Sequence, residues 1–225
     1  MDRATWLNEL RRECVACYDR EAPLYGDKIG LYSNLTHQLF IQELLGLLPP
    51  HSTVLDAACG AGRYLPFLLE QGHTALGIDQ SPGMLERARA LFPGVQFENV
   101  GLQEMAYQGL FDGAICMDAM ENVPPEDWPV VLGNFHRALK PHGCLYFTVE
   151  TIEMADENEI RQAFERAQQA GLPVVYGEWP DEEVYHYHPT NQQVKDFARQ
   201  AGFEMLKEAN GELWYYHILL RRVDK

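Results

Sequence analysis

Through the first fifty residues, apolar positions recur at helical spacing. Trp6, Leu7 and Leu10 form one set, and Leu35, Leu39, Leu44 and Leu48 form a second that stops at Pro49-Pro50. Between them Tyr18–Leu31, with Pro23, Gly26 and Gly30, reads as a loop. From residue 53 the pattern changes to short, nearly continuous apolar runs: Thr53–Ala57, Thr74–Ile78, Val95–Phe97, Phe111–Met117 and Cys144–Val149. They are β-branched or aromatic-rich, as strands covered on both faces must be. Helices fit between them. One starts at Ser81 as N-cap with Pro82 behind it and carries Met84, Leu85, Ala88 and Leu91; another follows Pro124-Pro125 and carries Val130, Val131, Phe135 and Leu139. Strands alternating with helices at this spacing predict a parallel sheet with helices on both faces.

The end of the chain breaks the alternation. Thr190 with Gln193 is a capping box opening a helix, and Phe203–Ala209 and Glu212–Leu220 flank Asn210-Gly211, a two-residue hairpin signal. The expected fold is therefore α/β: a doubly wound, Rossmann-like, seven-stranded sheet ending in an antiparallel hairpin. One domain over residues 1–225 is expected, with residues 1–50 as a helical lid and 151–189 as a cap or substrate insertion. That insertion predicts a helix from Ile160 to Ala170 and then a segment rich in aromatic and imidazole groups.

Composition narrows the class. Apolar residues are 46% and charged ones 23%, which excludes disordered and fibrous chains. Lys plus Arg is 18 against 33 Asp plus Glu, a net charge of −15 that argues against nucleic-acid partners and anionic membranes. No apolar run is long enough to span a membrane, and acids near the start replace the apolar stretch of a signal peptide. With five cysteines, an odd number in mostly apolar surroundings, a cytoplasmic protein with reduced thiols is expected.

The richest stretch is Val54-Leu55-Asp56-Ala57-Ala58-Cys59-Gly60-Ala61-Gly62-Arg63-Tyr64. A strand runs into small residues that let the backbone turn and bring a ligand to the amides opening a helix. Asp79 follows about 20 residues later, at the spacing of an acid that accepts ribose hydroxyls. A dinucleotide loop wants G-x-G-x-x-G/A, but Leu65 stands at the third position. Asp56 is also poorly suited to a pyrophosphate and well suited to a cationic amino group. An amino acid joined to adenosine, S-adenosylmethionine, satisfies both observations.

In order and spacing, Val54–Tyr64, Gly77–Ser81, Phe111–Met117 and Leu139–Phe147 resemble the motifs of class I S-adenosylmethionine-dependent methyltransferases. The resemblance implies that Asp56, Ala58, Gly60 and Gly62 line the methionine moiety and that Asp79 holds the ribose. It sets Gln80 and Met84 beside the adenine, with Leu102 and Gln103 in the segment passing its edge. Met117 and Asp118 would face the methyl group and acceptor, and Tyr18 and Tyr25 resemble paired lid tyrosines. Ala58 replaces a common glycine, and Gly101 stands where an acid often meets the adenine amino group.

A small-molecule acceptor is expected. The segment after the fourth strand, Met117-Asp118-Ala119-Met120, lacks the (Asn/Asp)-Pro-Pro-aromatic grip on a flipped base, and there is no Pro-Cys pair for cytosine C5 chemistry. The 176–188 segment is the candidate acceptor site, with His186 or His188 as the base. If it is extended, the two histidines share one face and Tyr185 and Tyr187 the other. No metal is expected: Cys14 and Cys17 have no second ligand pair, and the acid that would complete His186-x-His188 cannot be named from sequence. Two rival functions remain, a non-catalytic protein that binds the cofactor or S-adenosylhomocysteine and a NAD-dependent oxidoreductase.

Overall fold

A computed structural model describes residues 1–25, 34–180, 184–211 and 214–223. In chain order, α1 (Arg3–Tyr25) and α2 (Leu35–Leu47) precede β1 (Thr53–Ala57), α3 (Leu65–Glu70), β2 (Thr74–Asp79), α4 (Pro82–Leu91) and β3 (Gln96–Asn99). β4 (Phe111–Cys116), α5 (Trp128–Ala138) and β5 (Leu139–Glu150) follow. Next come α6 (Glu157–Gln169), a two-strand ribbon of β6 (Glu178–Trp179) and β7 (His186–Tyr187), α7 (Asn191–Ala201), β8 (Phe203–Asn210) and β9 (Tyr215–Arg222).

The main sheet has seven strands in the order β3-β2-β1-β4-β5-β9-β8. The first five run parallel, and β9 pairs antiparallel with both β5 and β8. Strand alternation divides the core between two faces. Leu55, Ala57, Ala114, Leu145 and Phe147 pack with Trp128, Phe135 and Val194 of α5 and α7. Val54, Ile115, Tyr146 and Leu219 pack with Phe40, Leu44, Leu65 and Leu68 of α2 and α3. The sheet order reverses between β1 and β4, so a crevice opens at their carboxyl ends, where α/β sheets hold ligands.

Most expected strands and caps are present. Ser81 caps α4 through Met84, and the Thr190–Gln193 capping box is complete. Three expectations change. Tyr18–Tyr25 is helix rather than loop, Pro23 included, while residues 26–31 of that expected loop lie outside the described residues. Tertiary contacts carry the helix past the proline: Tyr18, Ala22 and Tyr25 pack against Ala61 and Met84. Asp19 also accepts the Gly83 amide and the Ser81 hydroxyl. The terminal hairpin has another register than expected: Asn210 pairs with Tyr216 and Gly211 donates to the Tyr215 carbonyl, while Glu212 and Leu213 lie outside the described residues. β9 owes its register to seven pairs with β5, which outweigh a local turn preference. β5 begins at Leu139 rather than Cys144, because Leu139 already pairs with Phe111 of β4.

Arg3, at the start of α1, binds the ribbon. Its guanidinium donates to both carboxylate oxygens of Glu178, which is fully buried and also accepts from Tyr185 and the Val175 amide. Glu126 takes the other edge of the guanidinium. Hydrogen bonds to a charged group of this kind contribute about 1.5–3 kcal/mol, and losing them strands a buried carboxylate. Arg3→Ala should cost stability of about that size in urea denaturation, and a loss within error would show that the contact is not a strut.

Candidate active site

The crevice at the carboxyl ends of β1, β2 and β4 widens into a cavity walled on the far side by α1. The loop after β1 shapes its floor. Ala58, Gly60 and Gly62 all have positive φ, +55°, +52° and +88°. A left-handed alanine costs roughly 1–2 kcal/mol, so Ala58 is held there by its surroundings. A side-chain carbon at Gly60 would meet nothing within 4 Å, so the backbone there faces open space.

Asp79 fixes this loop. Its carboxylate accepts the Gly60 amide and the Ser81 amide, each at 2.8 Å. One bond reaches β1's loop and the other α4's first turn. Each oxygen keeps a further lone pair for a ligand hydroxyl. Burial raises the Asp79 pKa above the ordinary carboxylate value despite these bonds.

Ala58, Gly60, Asp79, Gln80 and Met84 line the cavity, as do Leu102, Gln103 and Met117 and, from α1, Tyr18 and Tyr25. Asp56 and Gly62 do not line it. Asp56 shares the strand parity of Val54, so it turns toward the α2/α3 face beneath the loop. It is 1% exposed, and its Oδ2 lacks a hydrogen-bond partner. Burial, with the charge of Asp79 beside it, pushes its pKa up to about 8. Gly62 instead serves packing, since a side-chain carbon there would strike Leu65 and Phe92 at under 3 Å. Gly101 lines the cavity with Arg11 and Glu104 against it, and a side-chain carbon would sit 2.5 Å from both. That pair, with Arg11 also reaching Gln80, occupies the space an acid at 101 would need.

At the other end, Asp118 follows Met117 with φ +53°. The Thr148 hydroxyl accepts its amide at 2.9 Å, and its carboxylate gathers Tyr64 Oη at 2.6 Å, His37 Nε2 at 3.1 Å and Thr148 at 3.3 Å, with Arg63 at 3.7 Å. Burial alone would raise this carboxyl, but the bonds from His37 and Tyr64 and the Arg63 charge hold it below its ordinary value. A strained backbone this heavily bonded is typical of a functional position.

Arg63, Tyr64 and Asp118 line the cavity, and His37 stands behind them, fully buried. His37 lies outside the set drawn from sequence. Its signal was an imidazole on the apolar stripe of α2 that also carries Phe40, Ile41 and Leu44. Asn122, Asp127 and Tyr185 also line the cavity. His186 and His188 do not. Tyr185 and Tyr187 are buried toward the core, and strand alternation turns the two histidines the other way, toward Glu150. Cys14 and Cys17 are buried within α1, and burial pushes the Cys14 thiol up to about 12, where it is unreactive.

A chemical fit for an adenosyl amino acid is present. The lone pair left free on each Asp79 oxygen suits vicinal hydroxyls, and the buried carboxyl of Asp56, its Oδ2 unpartnered beneath the loop, can ionise beside a cationic ligand. Comparison with known proteins agrees. Residues 54–143 match the family model described as "Methyltransferase domain". Human methyltransferase-like protein 27 is 29% identical over 179 residues, covering 75% of this chain and 71% of its own length. An S-adenosylmethionine-dependent methyltransferase from Methanosarcina mazei superposes with a TM-score of 0.69 at 16% identity, over 81% of this chain and 98% of its own. The 1,6-didemethyltoxoflavin-N1-methyltransferase of Burkholderia thailandensis, solved with that compound and S-adenosylhomocysteine, also gives 0.69, at 19% identity over 100% and 92% of the two chains.

Residues 54–143 are a methyltransferase domain, and the chain has the fold of S-adenosylmethionine-dependent methyltransferases, whose solved structures are named for that cofactor. The NAD-dependent oxidoreductase reading and the non-catalytic one are therefore set aside. Among the described residues no helix is long and apolar enough to cross a membrane.

The unfolded chain releases the Asp56 proton near its ordinary value of 3.8, whereas the folded, ligand-free protein keeps it up to about pH 8. In that window the unfolded state binds fewer protons, so stability falls as pH rises through it. Asp56→Asn removes this contribution. Its melting temperature relative to wild type should climb steadily between pH 5 and pH 8.5, and a pH-independent difference would mean that Asp56 is charged in the folded protein.

Proposed function

We propose that the chain transfers the methyl group of S-adenosylmethionine to a small, flat acceptor bound against Arg63, Tyr64, Asp118 and Tyr185. The cofactor supplies an activated methyl group on a sulfonium, and the protein aligns the nucleophile and excludes water. The observation that carries the reading is the wall made by α1. Leu7, Leu10, Cys14, Tyr18 and Tyr25 stand over the carboxyl ends of the strands and leave a partly covered chamber, with Tyr64 and Tyr185 also in its lining, suited to a metabolite rather than a polymer. The Burkholderia enzyme that shares this fold holds 1,6-didemethyltoxoflavin, a small-molecule acceptor.

In this reading Asp79 accepts both ribose hydroxyls, and Gln80, Met84 and Leu102 flank the base. Gln103, itself tied to Asp127 at 3.2 Å, is available to its edge. Asp118 contributes fixed negative charge at the transfer end. Held below its ordinary pKa it is a weak base, which favours an acceptor that needs little help in losing a proton. Tyr64 and His37 position that carboxylate, and Arg63 packs its guanidinium 5.5 Å from the ring centroid of Tyr25. The base role drawn from sequence for His186 and His188 has no part in this scheme, because both face Glu150 outside the cavity. In this scheme α1 is the cover, and Tyr185 from the 151–189 segment forms part of one acceptor wall.

S-adenosylhomocysteine should bind in calorimetry while NADH does not. Asp79→Asn should weaken that binding by roughly 10–100-fold, the equivalent of one lost charged hydrogen-bond pair. Wild-type affinity in the variant would remove the ribose assignment. For the transfer end, Asp118→Asn should lower kcat by about 100-fold with S-adenosylhomocysteine binding retained. Incubation with methyl-labelled cofactor and a cell extract should send the label into the low-mass fraction, and label confined to protein or nucleic acid would end the small-acceptor reading.

A further inference from the structure

Where β5 ends, its last residue, Glu150, meets the two histidines of the ribbon. The Glu150 Oε2 atom lies 3.2 Å from His188 Nε2 and 3.5 Å from His186 Nδ1, and one ligand atom from each residue falls within 4.8 Å of the other two. Ligands about 2.1 Å from a tetrahedral zinc ion stand roughly 3.4 Å from one another. The two measured carboxylate–imidazole separations match that edge.

The second observation concerns His188, which is 3% exposed. Its Nδ1 lies 3.2 Å from the Gly177 carbonyl, which can only accept, so Nδ1 carries the hydrogen. Nε2 is then the nitrogen that faces the Glu150 oxygen, and at 3.2 Å either a proton or a metal ion can bridge the two. An imidazole that donates one nitrogen to a backbone carbonyl and offers the other is the arrangement that orients metal-bound histidines. Gly177 makes it possible: its φ is +97°, and a side-chain carbon would sit 2.6 Å from the His188 carbonyl.

We propose that Glu150, His186 and His188 bind a divalent transition-metal ion of the zinc type. Two imidazoles and one carboxylate suit zinc, and also cobalt or nickel. Three protein ligands leave a fourth position for water. The site lies outside the cofactor cavity, but His186 directly follows Tyr185, whose carbonyl accepts the Asn122 side-chain amide at 3.0 Å. Both residues line the cavity, so the ion would fix the acceptor wall against the end of β5. This inference rests on no acceptor or cofactor assignment.

The test uses the full chain stripped with a chelator and dialysed. Co2+ should bind with a stoichiometry of one and develop the visible d–d absorption of a low-coordinate complex. Zn2+ should displace it and raise the melting temperature. His186→Gln, at a half-buried side chain whose loss spares the core, and Glu150→Gln should each weaken Zn2+ binding by roughly tenfold or more. His51→Gln, at an exposed histidine elsewhere, should not. Circular dichroism in chelator shows that each variant is folded, and the His186 variant decides the matter if Glu150→Gln is not. Absent cobalt absorption in wild type, or equal Zn2+ affinity in wild type and His186→Gln, would overturn the proposal.

Discussion

The structure turns on one carboxylate. Asp79 takes an amide from the loop after β1 and another from the first turn of α4, and so holds together two segments that floor the cavity. α1 joins through Asp19, which accepts the Gly83 amide and the Ser81 hydroxyl on that same turn. The cofactor floor and its cover therefore share one set of hydrogen bonds. Burial raises the pKa of Asp79 and that of Asp56 behind it, so the ligand-free protein carries an electrostatic cost at neutral pH. A cationic amino acid joined to adenosine offsets that cost, whereas a diphosphate would add to it.

The transfer end inverts that balance. Asp118 is as enclosed as Asp79, yet His37, Tyr64, Thr148 and Arg63 surround it with donors and hold it anionic. One cavity thus holds Asp79, backed by buried Asp56 beneath the loop, at one end and an already satisfied carboxylate at the other. The satisfied group is a fixed point for orienting an acceptor, since its partners come from α2, the glycine loop and β5 and leave it little freedom. His217, packed 4.8 Å from the His37 ring, is pushed down to about 3 by burial and by its neighbour, and so adds no charge to this cluster.

Much of the cavity floor was legible in sequence because the turns and caps that build it are local. The small residues from Ala58 to Gly62 and the Ser81-Pro82 cap must be contiguous to work, and a spacing identifies Asp79. Asp56 shows the limit of that logic: it stands in the right motif, but the parity of a five-residue strand turns its side chain beneath the loop. His186 and His188 show another. Their alternation with Tyr185 and Tyr187 was readable, but which face meets the cavity depends on how the ribbon docks. Trp6 meets Tyr185 edge-on at 6.3 Å, and Arg3 holds Glu178, so the tyrosines face inward.

The sequence by itself determined the alternating α/β order, the glycine loop with its distant acid, and the helix caps, all of which depend on backbone preferences and neighbours a few residues apart. Tertiary structure decided what lies far apart along the chain. It carried α1 through Pro23 by packing on Met84, set the terminal turn by the register of β9 on β5, and brought His37 to Asp118 across 81 positions. It also brought Glu150 to His188 across 38. No local pattern encodes such pairings. They arise because burying two sheet faces fixes where each helix lies, and only then do polar groups from separate elements find one another.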